Sequence, residues 1–250
     1  MQLHFHQDEY LVRWVSTDGL RTLGQRELAT RISWPEHDPR DGLLTNLLRF
    51  LEDYLRGQPK RLLPGQTLRY GWTLLRFVSD EHQSGGAGPD ALLIEEEQHP
   101  FTNNEPSYVL GVARTLTLLH LQNEVMRRNR ATGDSSHPSP VHTVITCTRV
   151  MPETIAHLRP IMAHRAWEPT SQESGWFIGC CDHEHDHNNP AELSTGHLYH
   201  LVVSFPGLFP YLAMPVGYQI LFEEHQAIIF HPGEQHGQVD PEELLSSMPD

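Results

Sequence analysis

The chain has 250 residues, with 18 Lys and Arg against 32 Asp and Glu, a formal charge of −14. A field of that sign repels phosphate backbones and anionic lipid surfaces, which argues against nucleic acid and membrane as partners; it either steers a basic protein partner or serves solubility alone. Hydrophobic residues at 38% supply a packed core, and the length suits one large domain or two ordinary ones.

No apolar run approaches the roughly 18–20 residues of a membrane helix. The opening Met1-Gln2-Leu3-His4-Phe5-His6 lacks the basic and apolar regions of a secretion signal. The three cysteines, Cys147, Cys180 and Cys181, include an adjacent pair and form no secreted disulfide framework, so a reducing, cytoplasmic compartment is expected.

Along the chain, residues 3–15 place Phe5, Tyr10, Val12 and Trp14 in a short-period pattern that predicts an opening strand or hairpin. From Gly42 to Arg56, Leu43, Leu44, Leu47, Leu48, Phe50, Leu51, Tyr54 and Leu55 recur at helical spacing, and Gly57 is the stop. After the Pro64-Gly65 turn, Thr67 to Ser79 reads as one strand. Ala91 to Glu95 reads as a second, joined to it as a hairpin through the Gly-rich segment Ser84 to Gly88. Tyr108 to Met126 returns to a helical period and ends near Arg127, Arg128 and Arg130, where cations suit the helix dipole.

Residues 131–140 are almost free of apolar side chains and carry two prolines, which marks a linker between a domain at 1–130 and another at 141–250. Beyond it, Val141 to Val150 predicts a strand and Pro152 to Met162 a short helix. Gly175 to Cys180 and His197 to Ser204 predict strands, and Tyr218 to Phe222 with Ala227 to Phe230 a terminal hairpin. The expected fold class is α+β, two domains each built as a small, mostly antiparallel sheet packed with one or two helices.

Chemistry-bearing residues concentrate in Cys180-Cys181-Asp182-His183-Glu184-His185-Asp186-His187, followed by His197 and His200. Imidazole and thiolate are zinc-type ligands, and on an extended strand His183, His185 and His187 would share one side. No spacing here matches a structural zinc module, so the alternatives are a His-rich polar loop, adventitious zinc or nickel without a resident cofactor, and a functional metal. Cys147 and the Cys180-Cys181 pair lie in apolar, strand-like contexts that favour inert burial, and no Gly-x-Ser-x-Gly elbow is present. The Gly85-Gly86-Ala87-Gly88 run lacks the lysine and helix of a phosphate loop. In Glu95-Glu96-Glu97, strand alternation turns Glu96 away from its neighbours, and a solvated strand end is the simplest reading.

Ser174-Gly175-Trp176, the acidic stretch from Asp182 to Asp186, the Asn188-Asn189-Pro190 loop, Phe205 to Leu212, Pro215-Val216-Gly217 and Tyr218 to Phe230 together resemble a bacterial family. Over residues 142–232 the chain is similar to the family-33 immunity-protein domain, with three histidines diluting the acidic loop. The first half more faintly resembles the suppressor-of-fused domain, through Leu43 to Leu55, Leu63 to Leu68 and Leu92 to Ile94. Both resemblances imply an immunity protein, or antitoxin, that neutralises a toxin of contact-dependent or type VI secretion systems by binding it, without being an enzyme. The contact would fall on Asp182, Glu184, Asp186 and Glu192, opposite a basic surface, while Ser174, Gly175 and Trp176 form a structural motif with Trp176 as core anchor. The alternative is a metal-binding protein or metalloenzyme using the His-rich loop at 180–200.

Overall fold

A computed structural model of the protein describes residues 2–7, 13–35, 37–58, 60–79, 90–102, 104–131 and 137–232. The chain divides into two compact units, Met1–Leu121 and Gln122–Asp250. Each is built on a mixed sheet in which one strand pair is parallel and the rest antiparallel, so the α+β class read from the sequence holds.

The first unit opens with the antiparallel pair β1 (Gln2–Gln7) and β2 (Arg13–Asp18), followed by β3 (Leu28–Ile32) and helix α1 (Arg40–Arg56). Then come β4 (Thr67–Tyr70), β5 (Thr73–Ser79), β6 (Leu92–Glu97), β7 (Tyr108–Leu110) and helix α2 (Ala113–Arg128), of which the residues from Gln122 onward belong to the second unit. The sheet order is β1-β2-β3-β6-β5-β4, with β7 also against β6. Leu44, Leu47, Leu48, Leu51 and Leu55 of α1 are buried together with Val15, Leu28, Leu75, Phe77 and Ile94 of the sheet and Leu116 of α2. This is the apolar stripe that the helical period of α1 requires.

Two expectations for this unit need correction. The single strand expected over 67–79 is a hairpin folded at Gly71-Trp72, because Gly71 sits at φ +60°, a conformation open to glycine and costly for other residues. The helix expected from Tyr108 begins at Ala113; Tyr108–Leu110 pairs with β6, and Gly111 at φ +133° breaks the chain between the two. The hairpin of β5 and β6 forms as expected, while the Gly-rich segment that joins them, with Tyr10 and Val12 of the opening hairpin, lies outside the described residues.

Glu95, Glu96 and Glu97 alternate as expected, but Glu96 is not solvated. Its buried carboxylate accepts from the backbone N–H of Arg114 (2.8 Å) and Thr115 (2.7 Å) and from the Thr115 hydroxyl (2.8 Å). An anion thus sits where the exposed N–H groups and dipole of α2 need one. Glu95 instead pairs with Arg76.

The second unit contains β8 (Thr143–Cys147), β9 (Ile161–Arg165), β10 (Glu173–Cys180), β11 (Leu193–His197), helix α3 (Leu198–Ser204), a 3-10 turn (Pro206–Tyr211), β12 (Gln219–Phe222) and β13 (Ala227–Phe230). The sheet order is β11-β8-β10-β9-β12-β13, and the terminal hairpin forms as expected. Gln122 is fully buried: its amide donates to the Phe209 carbonyl (3.1 Å), and its oxygen lies 2.8 Å from His137 Nδ1. Of the expected linker, 132–136 fall outside the described residues; Pro138 and Pro140 are buried, and Pro140 accepts from Tyr199 N–H (3.0 Å).

The helix expected over 152–162 does not form. Residues 152–157 make successive turns, with Ile155 N–H on the Met151 carbonyl (2.9 Å) and Leu158 N–H on Thr154 (3.1 Å), and the chain enters β9 at Ile161. Pro160 restricts the residue before it to extended backbone, which leaves too short a run between the two prolines to nucleate a helix. Conversely, of the strand expected over 197–204 only His197 is in one, at the end of β11; 198–204 is helical, because the buried Leu198, Leu201 and Val202 recur at i, i+3 and i+4, and that period wins.

Candidate functional site

The Ser-Gly-Trp motif lies in the core. Between Glu173 and Phe177 the register of β10 against β8 slips, and Gly175 carries the irregularity at φ +75°; a Cβ there would meet the Trp167 carbonyl oxygen at 2.1 Å. Ser174 Oγ accepts from Trp176 N–H (3.2 Å), and Trp176, with no exposed surface, donates from Nε1 to the Leu212 carbonyl (3.0 Å). The guanidinium of the buried Arg165 stands 5.5 Å from the Trp176 ring centroid. The motif sets the path of β10, which ends at Cys180.

β8 and β10 run parallel, so their last residues, Cys147 and Cys180, come to the same end of the sheet. Cys180 N–H donates to Cys147 Sγ at 3.3 Å. The polypeptide then turns back over these strand ends through residues 181–192 before entering β11, the other neighbour of β8.

That return is not an extended strand, which corrects the alternation expected of it. Asp182 accepts from Glu184 N–H (2.9 Å), Asp186 from Asn188 N–H (2.9 Å) and Asn189 from Ala191 N–H (3.1 Å), making three side-chain-capped turns in succession. Short polar side chains compete well with regular pairing in this way, and the run has no apolar alternation to hold a strand. Consequently the three histidines do not share a side. His183 is exposed, His185 is buried and His187 is half-buried.

The carboxylates separate too. Glu184 and Asp186 are exposed, Asp182 pairs with Arg149, and Glu192 Oε2 lies 3.1 Å from His185 Nδ1. The structure therefore brings together His185, His187 and Glu192 of the expected residues and leaves His183, Glu184 and Asp186 outside. His197, within β11, bonds the Val141 carbonyl through Nδ1 (2.8 Å), and its ring centroid lies 6.3 Å from that of His200, the planes tilted by 44°.

Cys147 joins the cluster from a distant strand. A ligand atom of each of Cys147, His185 and His187 lies within 4.8 Å of the other two, and Cys180 Sγ is 3.6 Å from His187 Nε2. Burial pushes the Cys147 thiol up, but hydrogen bonds from His187 and from the backbone N–H groups of Cys180, Arg149 and Val150 outweigh it and hold Cys147 down at about 6. Burial, with the Cys147 charge nearby, pushes Cys180 up to about 12, and burial likewise pushes Cys181 up to about 12. The sequence had pointed to buried thiols, and all three are buried. What it did not signal is that Cys147 faces two imidazoles, because Cys147 and His185 are 38 positions apart in the chain and only the parallel pairing of β8 and β10 closes that gap.

The geometry defines an α+β module whose sheet ends carry a folded polar loop over a thiol–imidazole cluster. Residues 121–231 match the family model of the Imm33-like domain; the match starts inside α2, ahead of the residues that first suggested it. No curated protein and no solved structure matches the chain. The faint likeness of the first half to the suppressor-of-fused domain finds no support in these comparisons. Among the described residues, no helix is long and apolar enough to cross a membrane.

Proposed function

We propose that the protein is an immunity protein that binds a cognate bacterial toxin, a secreted effector of the contact-dependent or type VI kind, and neutralises it by occlusion in the cytoplasm. The observation that carries this reading is the Imm33-like match over residues 121–231. Binding alone suffices, so the role requires no catalytic residues. The charge of −14 favours a toxin that is basic at its contact surface, since complementary fields raise the association rate. The contact falls on the 181–192 loop, with Glu184 and Asp186 exposed on it and Asp182 and Glu192 at its two ends.

The test is growth. A toxin encoded next to this chain should arrest growth when produced alone and lose that effect when the two are produced together. Continued arrest, with both proteins soluble, would refute the reading. For the contact surface, Asp182→Asn, Glu184→Gln and Asp186→Asn together keep the acceptor oxygens that cap the turns and remove the charges. The variant should associate with the toxin more slowly and with a flatter salt dependence while folding normally, because exposed charges and a surface ion pair such as Arg149–Asp182 contribute about 0–1 kcal/mol each to stability. An unchanged rate and salt slope would move the interface off this loop.

A further inference from the structure

We propose that Cys147, His185 and His187, closed by Cys180, form a binding site for one divalent transition ion of the zinc class, which fastens the 181–192 loop onto the ends of β8 and β10. The donor set is two thiols and two imidazoles, the set that zinc takes in closed, four-coordinate structural sites. A tetrahedral site with bonds of about 2.0–2.3 Å spaces its ligand atoms about 3.3–3.8 Å apart. The ligand atoms of Cys147, His185 and His187 already lie within 4.8 Å of one another, and Cys180 Sγ is 3.6 Å from His187 Nε2.

An independent observation points the same way. The His185 side chain is only 3% exposed, its Nδ1 is engaged by Glu192 at 3.1 Å, and its Nε2 is buried with no hydrogen-bond partner among the described residues. A buried polar nitrogen left unpaired costs free energy, so one that persists calls for a missing partner. With Nδ1 taken, Nε2 is the nitrogen His185 offers to the cluster. A carboxylate on the far nitrogen of a ligating histidine fixes its tautomer and ring orientation, which is the place Glu192 occupies.

The surroundings are shaped for the ring of His187. It packs edge-on to Phe177 (centroids 5.4 Å apart) and lies 5.0 Å from the His185 ring. A Cβ on Gly179 would come within 3.0 Å of His187 Cε1, so glycine leaves the room that this ring uses. His183, exposed and two residues away, has no part in the site and serves as its control.

The inference does not depend on toxin binding, and its test needs no partner. Full-length protein without a histidine tag is stripped with a chelator and titrated with Zn²⁺ against a chromophoric competitor, and separately with Co²⁺ followed optically. One equivalent should bind, and the cobalt form should show thiolate charge-transfer bands with the intense d–d bands of a tetrahedral site. Glu192→Gln should weaken Zn²⁺ binding about 10–100-fold. His185→Gln, His187→Gln and Cys180→Ser should each weaken it at least as much, and His183→Gln should leave it unchanged. Because Cys147→Ser changes a fully buried position, the loop variants carry the result if it fails to fold. Substoichiometric binding, a cobalt spectrum without thiolate bands, or equal losses from His183→Gln and His185→Gln would overturn the proposal.

Discussion

Replacing Trp176 separates a core role for the Ser-Gly-Trp motif from an interface role. The indole is wholly enclosed and its Nε1 donates to the Leu212 carbonyl at 3.0 Å. Truncation of a buried Trp to Ala costs about 3–5 kcal/mol through lost transfer energy and the cavity left behind. The carbonyl of Leu212 retains Arg165 Nη1 at 3.5 Å, so the lost hydrogen bond adds only the low end of its range, about 1 kcal/mol. A total of about 4–6 kcal/mol reaches the lower part of the 5–15 kcal/mol that holds a typical domain together, and Trp176→Ala is expected to leave the second unit largely unfolded. Trp176→Phe is the measurable variant: it keeps an aromatic ring, loses the hydrogen bond and part of the volume, and should cost about 2–3 kcal/mol. Urea unfolding followed by far-ultraviolet circular dichroism reads this as a lower midpoint at unchanged slope. A Trp176→Phe unfolding free energy within about 0.5 kcal/mol of the parent would refute the core assignment, since that is the scatter of surface substitutions. Weakened toxin binding at unchanged stability would place Trp176 in the interface instead.

Three further predictions concern polar groups with defined partners. Glu96→Ala leaves the first N–H groups of α2 without their carboxylate and should lower stability by about 2–4 kcal/mol, against about 1–2 for Glu96→Gln, which keeps one acceptor; denaturant titration distinguishes the two. Gln122→Ala should cost about 1–3 kcal/mol by removing the amide between the Phe209 carbonyl and His137, and a neutral result would show those groups satisfied elsewhere. Asp38 hydrogen-bonds the Arg40 guanidinium, which lowers its carboxyl from 3.8 to about 2. A depressed carboxyl contributes stability above its unfolded value and loses it as the pH falls through the folded one. Thermal melts should therefore show Asp38→Asn less stable than the parent above pH 3.8, with the gap closing as the pH falls towards about 2.

Local regularities were legible in the amino-acid sequence wherever one period dominated. The leucines of α1 announce a helix because its stripe repeats over four turns, and the β12–β13 hairpin follows from two short apolar runs around a polar turn. Reading failed where one residue outweighed the pattern around it. Gly71 folds a long strand into a hairpin, and Pro160 stops a helix. In the segment from Leu198 to Ser204, the burial of Leu198, Leu201 and Val202 decides for helix in a stretch too short for its period to stand out.

The Imm33-like resemblance and the choice of the His-rich loop came from residues adjacent in the chain, which a linear reading sees. Tertiary structure alone decided which of those residues meet. His183, His185 and His187 are equivalent by spacing, yet the capped turns at Asp182 and Asp186 bury His185 and leave His183 in solvent. Cys147 enters the cluster because β8 and β10 are parallel, and a parallel pairing brings distant residues together through a crossover that no local pattern encodes. Glu96 looks like part of an acidic strand end until α2 packs its N-terminus against it. Periodicity records which face a residue occupies within its own element, whereas the partner across that face is set by the order in which strands and helices assemble.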